Sequence, residues 1–181
     1  MAGTTEIRRL SPGDIGLIAQ IDRSERVDVE YIVSDGELVS RPVDWDIPTW
    51  QPTGSGEHSV SGEIALWEPI VDGGASLIGA FNGHTLLGLA IVDGSFEPGM
   101  AWLAFLHVSR PHRRTGVASA LWAECELLAA AAGASSMYVS AIPSGSAVDF
   151  YLSRGCELAN PPHPDLFSKE PEDIHLLCPI G

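Results

Sequence analysis

The segment from Ala101 to Ala132 leaves the fewest choices to the rest of the chain. It opens with the apolar run AWLAFLHVSR, passes through PHRRTGVA and ends in SALWAECELLAAAA. An apolar strand enters a turn that carries Arg110, Arg113 and Arg114, and Gly116 opens a long helix. The first N–H groups of a helix have no acceptor within it, and the helix dipole adds positive potential there. A glycine lets a bulky phosphate approach the main chain, and arginines supply forked donors for its oxygens. Strand, basic turn and helix form an anion cradle, and the guest that suits it is a pyrophosphate.

Charge supports that reading. The 181 residues hold 10 Lys and Arg against 24 Asp and Glu, a net charge of −14, yet Arg110, Arg113 and Arg114 sit within five positions. An acidic chain with its positive charge gathered on one turn is built to hold an anion at that turn. The same balance argues against nucleic acid as a partner, whose binders carry basic surfaces. It favours a cationic partner, or else serves solubility alone. A hydrophobic content of 45% is that of one globular domain, residues 1-181, with a full core. No run approaches the ~20 apolar residues of a membrane span, and MAGTTEIRRL lacks a secretory pattern. Cys125, Cys156 and Cys178 are an odd set without CxxC spacing, which argues against a disulfide framework or a zinc site. A cytoplasmic protein without membrane partners is expected.

Along the chain, Glu6 to Leu10 reads as a first strand, and Ser11-Pro12 starts a helix with Ile15 and Ile18 on its inner face. The charged stretch Arg23 to Tyr31 admits a short helix or an irregular turn. Gly36 to Val43 reads as a hairpin strand, followed by an ordered loop, DWDIPTWQPTGSG, whose Trp45 and Trp50 either cover the core or wall a cationic substrate. Ser59 to Val71 has helical spacing that Pro69 kinks or ends. Asn82-Gly83 between two apolar runs signals a hairpin. The helix after Gly116 stops at Gly133, a strand follows at Met137 to Ile142, and a further helix runs to Arg154. Cys156 to Ala159 and Ile174 to Cys178 complete the sheet across a Pro-rich loop at residues 160–171. Order and lengths give an α/β (α+β) mixed sheet with helices on its faces.

Arg113-Arg114-Thr115-Gly116-Val117-Ala118 resembles the Q/R-x-x-G-x-G/A turn of the GNAT superfamily of acetyl-CoA-dependent N-acetyltransferases. Ala147 to Cys156, AVDFYLSRGC, resembles that family's A-x-x-F-Y-x-x-x-G-F element. The two motifs in this order cover about residues 101–158, whereas the first hundred residues match only in the order of their elements. The resemblance implies the GNAT fold, a mixed and mostly antiparallel sheet of six to seven strands flanked by helices. It divides the chain into an acceptor-side half (1-100), an acetyl-CoA-binding core (101-158) and C-terminal strands (159-181).

The same resemblance assigns roles. Arg113, Arg114, Thr115, Gly116, Val117 and Ala118 would hold the pyrophosphate of acetyl-CoA. Backbone N–H groups at Leu106, His107 and Val108 would hold the pantetheine arm and the thioester oxygen. Ser144 stands where the family often has a pantetheine-binding asparagine, and Tyr151 would protonate the departing sulfur. Trp102 stands where some members carry a glutamate base, so the base is a water chain or lies elsewhere, with His107, Glu25, Glu30, Glu63, Glu68 and Asp93 as the candidates. A primary amine, with Glu25, Tyr31, Trp45, Asp46 and Trp50 around it, is the expected acceptor, attacked directly in a ternary complex without an acyl-enzyme. A protein or peptide amine, and a module that binds the coenzyme without catalysis, are the alternatives. No metal is required, and a monomer or homodimer is expected.

Overall fold

The computed structural model describes residues 4–181; Met1–Gly3, at the start of the MAGTTEIRRL segment, lie outside them. In chain order the strands are β1 (Glu6–Leu10), β2 (Glu25–Ser34), β3 (Glu37–Ile47), β4 (Ser76–Asn82), β5 (Thr85–Glu97), β6 (Met100–Val108), β7 (Ser136–Ala141), β8 (Glu157–Leu158) and β9 (Ile174–Pro179). The α-helices are α1 (Val60–Asp72), α2 (Val117–Ala131), α3 (Gly145–Leu152) and α4 (Pro164–Lys169), and a 3-10 helix spans Pro12–Gln20.

Seven strands form one sheet in the order β1-β4-β5-β6-β7-β9-β8, and β2 with β3 forms a separate hairpin. Neighbours in the large sheet are antiparallel except β6 and β7, whose parallel pairing needs a crossover, supplied by α2. Two apolar clusters lie on opposite faces. One packs Leu121, Trp122 and Cys125 of α2 with Val148 and Tyr151 of α3 against Ile78, Leu103 and Val139. The other packs Ile15 and Ile18 of the 3-10 helix with Trp67 and Val71 of α1 against Leu77, Trp102 and Phe105. This is the mixed, mostly antiparallel sheet flanked by helices that the sequence implies.

Local signals explain the ends of most elements. The Asp14 carboxylate accepts from the Ser11 N–H at 2.9 Å, closing a capping box on the 3-10 helix. The Ser59 hydroxyl accepts from the Gly62 N–H at 3.0 Å and starts α1, which continues past Pro69 to Asp72. Asn82 pairs with Thr85, so the β4–β5 turn is Gly83-His84, one residue beyond the position read from Asn-Gly.

Four expectations are corrected. Residues 25–34 form β2, neither a helix nor a turn: Val27, Val29 and Tyr31 alternate with charges at the period of a strand. The hairpin turns at Asp35 and Gly36, both left-handed with φ of 53° and 80°, as an Asp-Gly turn of this kind requires. The segment read as a loop from Asp44 belongs to β3 as far as Ile47, and the 160–171 loop contains α4. Cys156 and Cys178 are joined by a disulfide. The end of α3 and β9 bring them together, and an odd cysteine count excludes only that all are paired. Cys125 remains free and buried, and burial pushes its thiol well above the usual range.

A buried polar chain fixes the C-terminal segment against the sheet. The His163 N–H donates to the Tyr138 hydroxyl at 2.9 Å, and that hydroxyl lies 3.0 Å from His175 Nδ1. His175 Nε2 donates to the Glu170 carbonyl at 2.9 Å, which leaves Nδ1 to accept from Tyr138. Burial lowers the His175 pKa and keeps this tautomer neutral. Tyr138→Phe strands two buried partners at once, so a loss of about 1–3 kcal/mol is expected. For a chain of this size each kcal/mol moves Tm by roughly 2–4 °C, which calorimetry would read directly.

Candidate active site

The sheet opens between β6 and β7. Their parallel pairing runs from Met100↔Ser136 to Leu103↔Val139 and stops. At the same place the β5–β6 register skips Ala104, passing from Val92↔Leu103 to Ile91↔Phe105. A bulge bends the strand that carries it, and here it turns β6 away from β7. Beyond it the Ser109 N–H bonds the Leu87 carbonyl, and alternation assigns His107 to the β5 side as well. Leu106 and Val108 therefore present their N–H groups to the gap, while the His107 amide pairs with Leu89 and is not available. That removes one of the three expected pantetheine donors.

At the mouth of the gap stands the basic turn. Arg114 has φ of 59° and Gly116 φ of 88°, so two left-handed residues curl the chain into α2. A Cβ on Gly116 would meet nothing within 4 Å, so the space in front of it is open. Among the described residues, the N–H groups of Arg114, Thr115 and Gly116 meet no main-chain acceptor, and the first N–H groups of α2 are free by construction. This concave set of donors fits a pyrophosphate.

Of the turn's arginines, Arg113 points inward. Its Nε donates to the Val108 carbonyl at 3.0 Å, Nη2 to the Arg23 carbonyl at 3.0 Å and Nη1 to the Glu25 carboxylate at 3.1 Å. Arg113 thus braces the turn with its guanidinium already engaged, and Glu25 is its partner there. Arg114 is exposed and without an ion pair among the described residues. Sequence reasoning missed Arg154, whose guanidinium donates to the Ser119 hydroxyl in the first turn of α2 and lies 4.8 Å over Phe150. Its place inside the AVDFYLSRGC motif, three residues after Tyr151, was the available signal.

Strand β2 bridges the two diverging strands. At one end Glu25 is tied to Arg113; at the other the Tyr31 N–H donates to the Pro143 carbonyl at 2.8 Å, just past β7. The Tyr31 hydroxyl donates to Asp149 of α3 at 2.6 Å, which raises its pKa. Val29 packs at Gly145, where a Cβ would come within 3.1 Å of it. Ser144, 1% exposed, caps α3 by accepting from the Ala147 N–H. The same hydroxyl lies 3.2 Å from that of Ser146, so it is engaged at the start of α3.

Tyr151 lies on the α2–α3 face, 7% exposed, its ring 5.8 Å from Trp122. Burial, with smaller contributions from Cys125 and Asp173, raises its pKa, so the phenol holds its proton throughout the neutral range. On the opposite face the His107 ring lies 4.6 Å from Phe105 and 5.7 Å from Trp50. Burial, then Arg23 and Arg113, lower its pKa to about 3, which leaves it neutral and a poor proton acceptor at neutral pH. Arg23 itself is 6% exposed, donates through Nε to the Pro48 carbonyl at 2.9 Å and stacks 4.0 Å from the Trp50 ring. Trp50 thus anchors residues 48–50 to the core.

A cavity of about 680 Å³ opens between the hairpin and the C-terminal segment. Tyr31, Trp45 and Phe167 supply its aromatic walls, and Glu30, Glu172 and Asp173 its carboxylates. Of the five expected acceptor residues, Tyr31 and Trp45 line it. Glu25, Asp46 and Trp50 do not. Among the described residues no cluster of His, Cys, Asp and Glu could hold a metal ion, and no helix is long and apolar enough to cross a membrane.

The fold is shared with solved structures of low sequence identity. A nourseothricin acetyltransferase superposes with a TM-score of 0.73 at 20% identity, over 98% of this chain and 99% of the other. The PaiA N-acetyltransferase of Thermoplasma acidophilum, in complex with coenzyme A, gives 0.62 at 16% identity, over 97% and 99%. Ard1 from Thermoplasma volcanium gives 0.61 at 16%, over 98% of both chains. No curated protein matches the chain in sequence. The model of the acetyltransferase (GNAT) family matches residues 42–156, well over half of the chain, from the hairpin through the basic turn to the end of α3. With that match, and with the split sheet and glycine-opened helix it spans, the chain belongs to the GNAT acetyltransferase family.

Proposed function

We propose that the protein transfers the acetyl group of acetyl-CoA to a primary amine of a cationic small molecule, by direct attack in a ternary complex. The observation that carries this reading is the gap beside β6, where the free N–H groups of Leu106 and Val108 lead to the open N-terminus of α2. Acetyl-CoA would supply an activated thioester there. Residues 114–118 hold its pyrophosphate through main-chain N–H groups, with Arg114 and Arg154 adding charge. Leu106 and Val108 orient the pantetheine arm and the thioester oxygen, and a donor to that oxygen contributes about 3–4 kcal/mol. Tyr151 donates to the departing sulfur. The similar fold that carries coenzyme A supports the donor. The net charge of −14 and a cavity walled by aromatic rings and carboxylates support a cationic acceptor.

The test is thiol release from acetyl-CoA against a panel of amines (spermidine, cadaverine, L-lysine and an aminoglycoside), with acetyl-CoA binding followed in parallel by calorimetry. Release with at least one cationic amine is expected. Binding without release for every amine would leave a coenzyme-holding module in place of an enzyme.

A further inference from the structure

The carboxylates around the acceptor cavity are not equivalent. Glu30 is held by Arg41, whose Nε and Nη2 lie 2.9 and 2.7 Å from its Oε2. Glu172 is exposed. Asp173 is recessed at the start of β9, with its own N–H bonded to the Glu170 carbonyl at 3.2 Å. Among the described residues, no donor and no cation holds its carboxylate. The buried Tyr138–His175 chain fixes the backbone on either side of it, from Glu170 to His175. Asp173 also lies close enough to Tyr151 for its charge to act on that phenol.

We propose that Asp173 is the general base that takes the proton from the acceptor's ammonium in this cavity. The inference rests on the acetyltransferase reading above and supplies the group that Trp102 cannot. Burial, then the charges of Glu170 and Glu172, raise the Asp173 pKa to about 7. An ordinary carboxylate near ~3.9 would have to take a proton from an alkylammonium near ~10.4, a gap of about six to seven units. A base near 7 cuts that gap to about three while keeping an ionised form within reach at neutral pH. The other groups facing Asp173 leave it this role: Glu170 and Glu172 on its own segment, His175 neutral on β9, Glu30 and Arg41 paired on the hairpin, and Tyr151 protonated on α3.

The proton balance closes. One proton of the ammonium passes to Asp173, and the freed nitrogen lone pair forms the N–C bond to the acetyl carbonyl carbon. The C–S bond breaks with its electron pair on sulfur, which takes the Tyr151 proton. The second proton lost by nitrogen restores Tyr151, and Asp173 releases its own to water. The net products are amide, thiol and one proton.

The experiment compares wild type with Asp173→Asn, using spermidine, cadaverine and L-lysine as protonated nucleophiles and hydroxylamine as one already neutral at pH 7. With the alkylamines, kcat/KM is expected to fall about 100-fold. Hydroxylamine turnover and acetyl-CoA affinity should not change, because neither needs a base. Wild-type kcat/KM should rise through a midpoint near 7, whereas the variant climbs steadily with pH, tracking the free amine. A folding control follows from the same burial. A carboxyl whose pKa is raised on folding costs stability once it ionises, so Asp173→Asn should have the higher Tm at pH 8, with the difference shrinking toward pH 5. Undiminished alkylamine turnover, or an equal loss with hydroxylamine, overturns the assignment. A wild type that binds acetyl-CoA but releases no thiol with any alkylamine overturns the acetyltransferase reading, and the base with it.

Discussion

Gly116→Glu is expected to weaken acetyl-CoA binding by at least 100-fold, and two separable effects contribute. Gly116 has φ of 88°, a conformation that costs a residue with a Cβ roughly 1–2 kcal/mol. That cost falls on the fold and appears as a lower Tm. The second effect is electrostatic. The space before Gly116 is open, so the new carboxylate stands among the free N–H groups meant for phosphate oxygens. It occupies those donors and repels the coenzyme's charge, and each tenfold of affinity corresponds to about 1.4 kcal/mol. Gly116→Ala isolates the strain, since the added Cβ meets no atom: Tm should fall by a similar amount while affinity changes far less. Calorimetric titration of both variants decides the matter. If the two bind acetyl-CoA alike, the pyrophosphate does not sit at this turn.

The strand–turn–helix unit was legible in the sequence because its signals are local. The apolar run, the glycine and the arginines need no knowledge of distant partners, and the capping serines and most turns were equally local. The hairpin carried a local signal that charge obscured: Val27, Val29 and Tyr31 alternate and Asp35-Gly36 turns, yet the acidic and basic residues between them imitate a surface segment. What could not be read depends on which elements fold together. Arg113 matches the motif, but its guanidinium is consumed by Glu25 and two carbonyls because β2 lies across the end of β6. The Cys156–Cys178 pair forms only because β9 returns beside the end of α3. Asp173 is one of 24 acidic residues, distinguished by burial and by the absence of a cation, both tertiary properties.

Tyr151→Phe is expected to lower kcat by about 100-fold and to leave acetyl-CoA affinity unchanged. The substitution keeps the ring that packs on Trp122 and removes a single hydroxyl, so the α2–α3 contact and the coenzyme cradle survive. Lost is the donor to the departing sulfur. Because burial raises the pKa of this phenol, it is a weak acid in the free enzyme, and its effect is realised only when negative charge develops on sulfur beside it. An interaction made in the transition state and not in the ground state lowers kcat without raising KM. The direction of the shift also fixes the pH dependence. The active form is the protonated one, and its loss lies above the ordinary tyrosine value of ~10. No descending limb below that pH should therefore come from Tyr151. A fall in activity below pH 10 that disappears in Tyr151→Phe would contradict its placement as a buried phenol. Wild-type kcat in the variant would remove it from the proton path, leaving the sulfur to depart toward water.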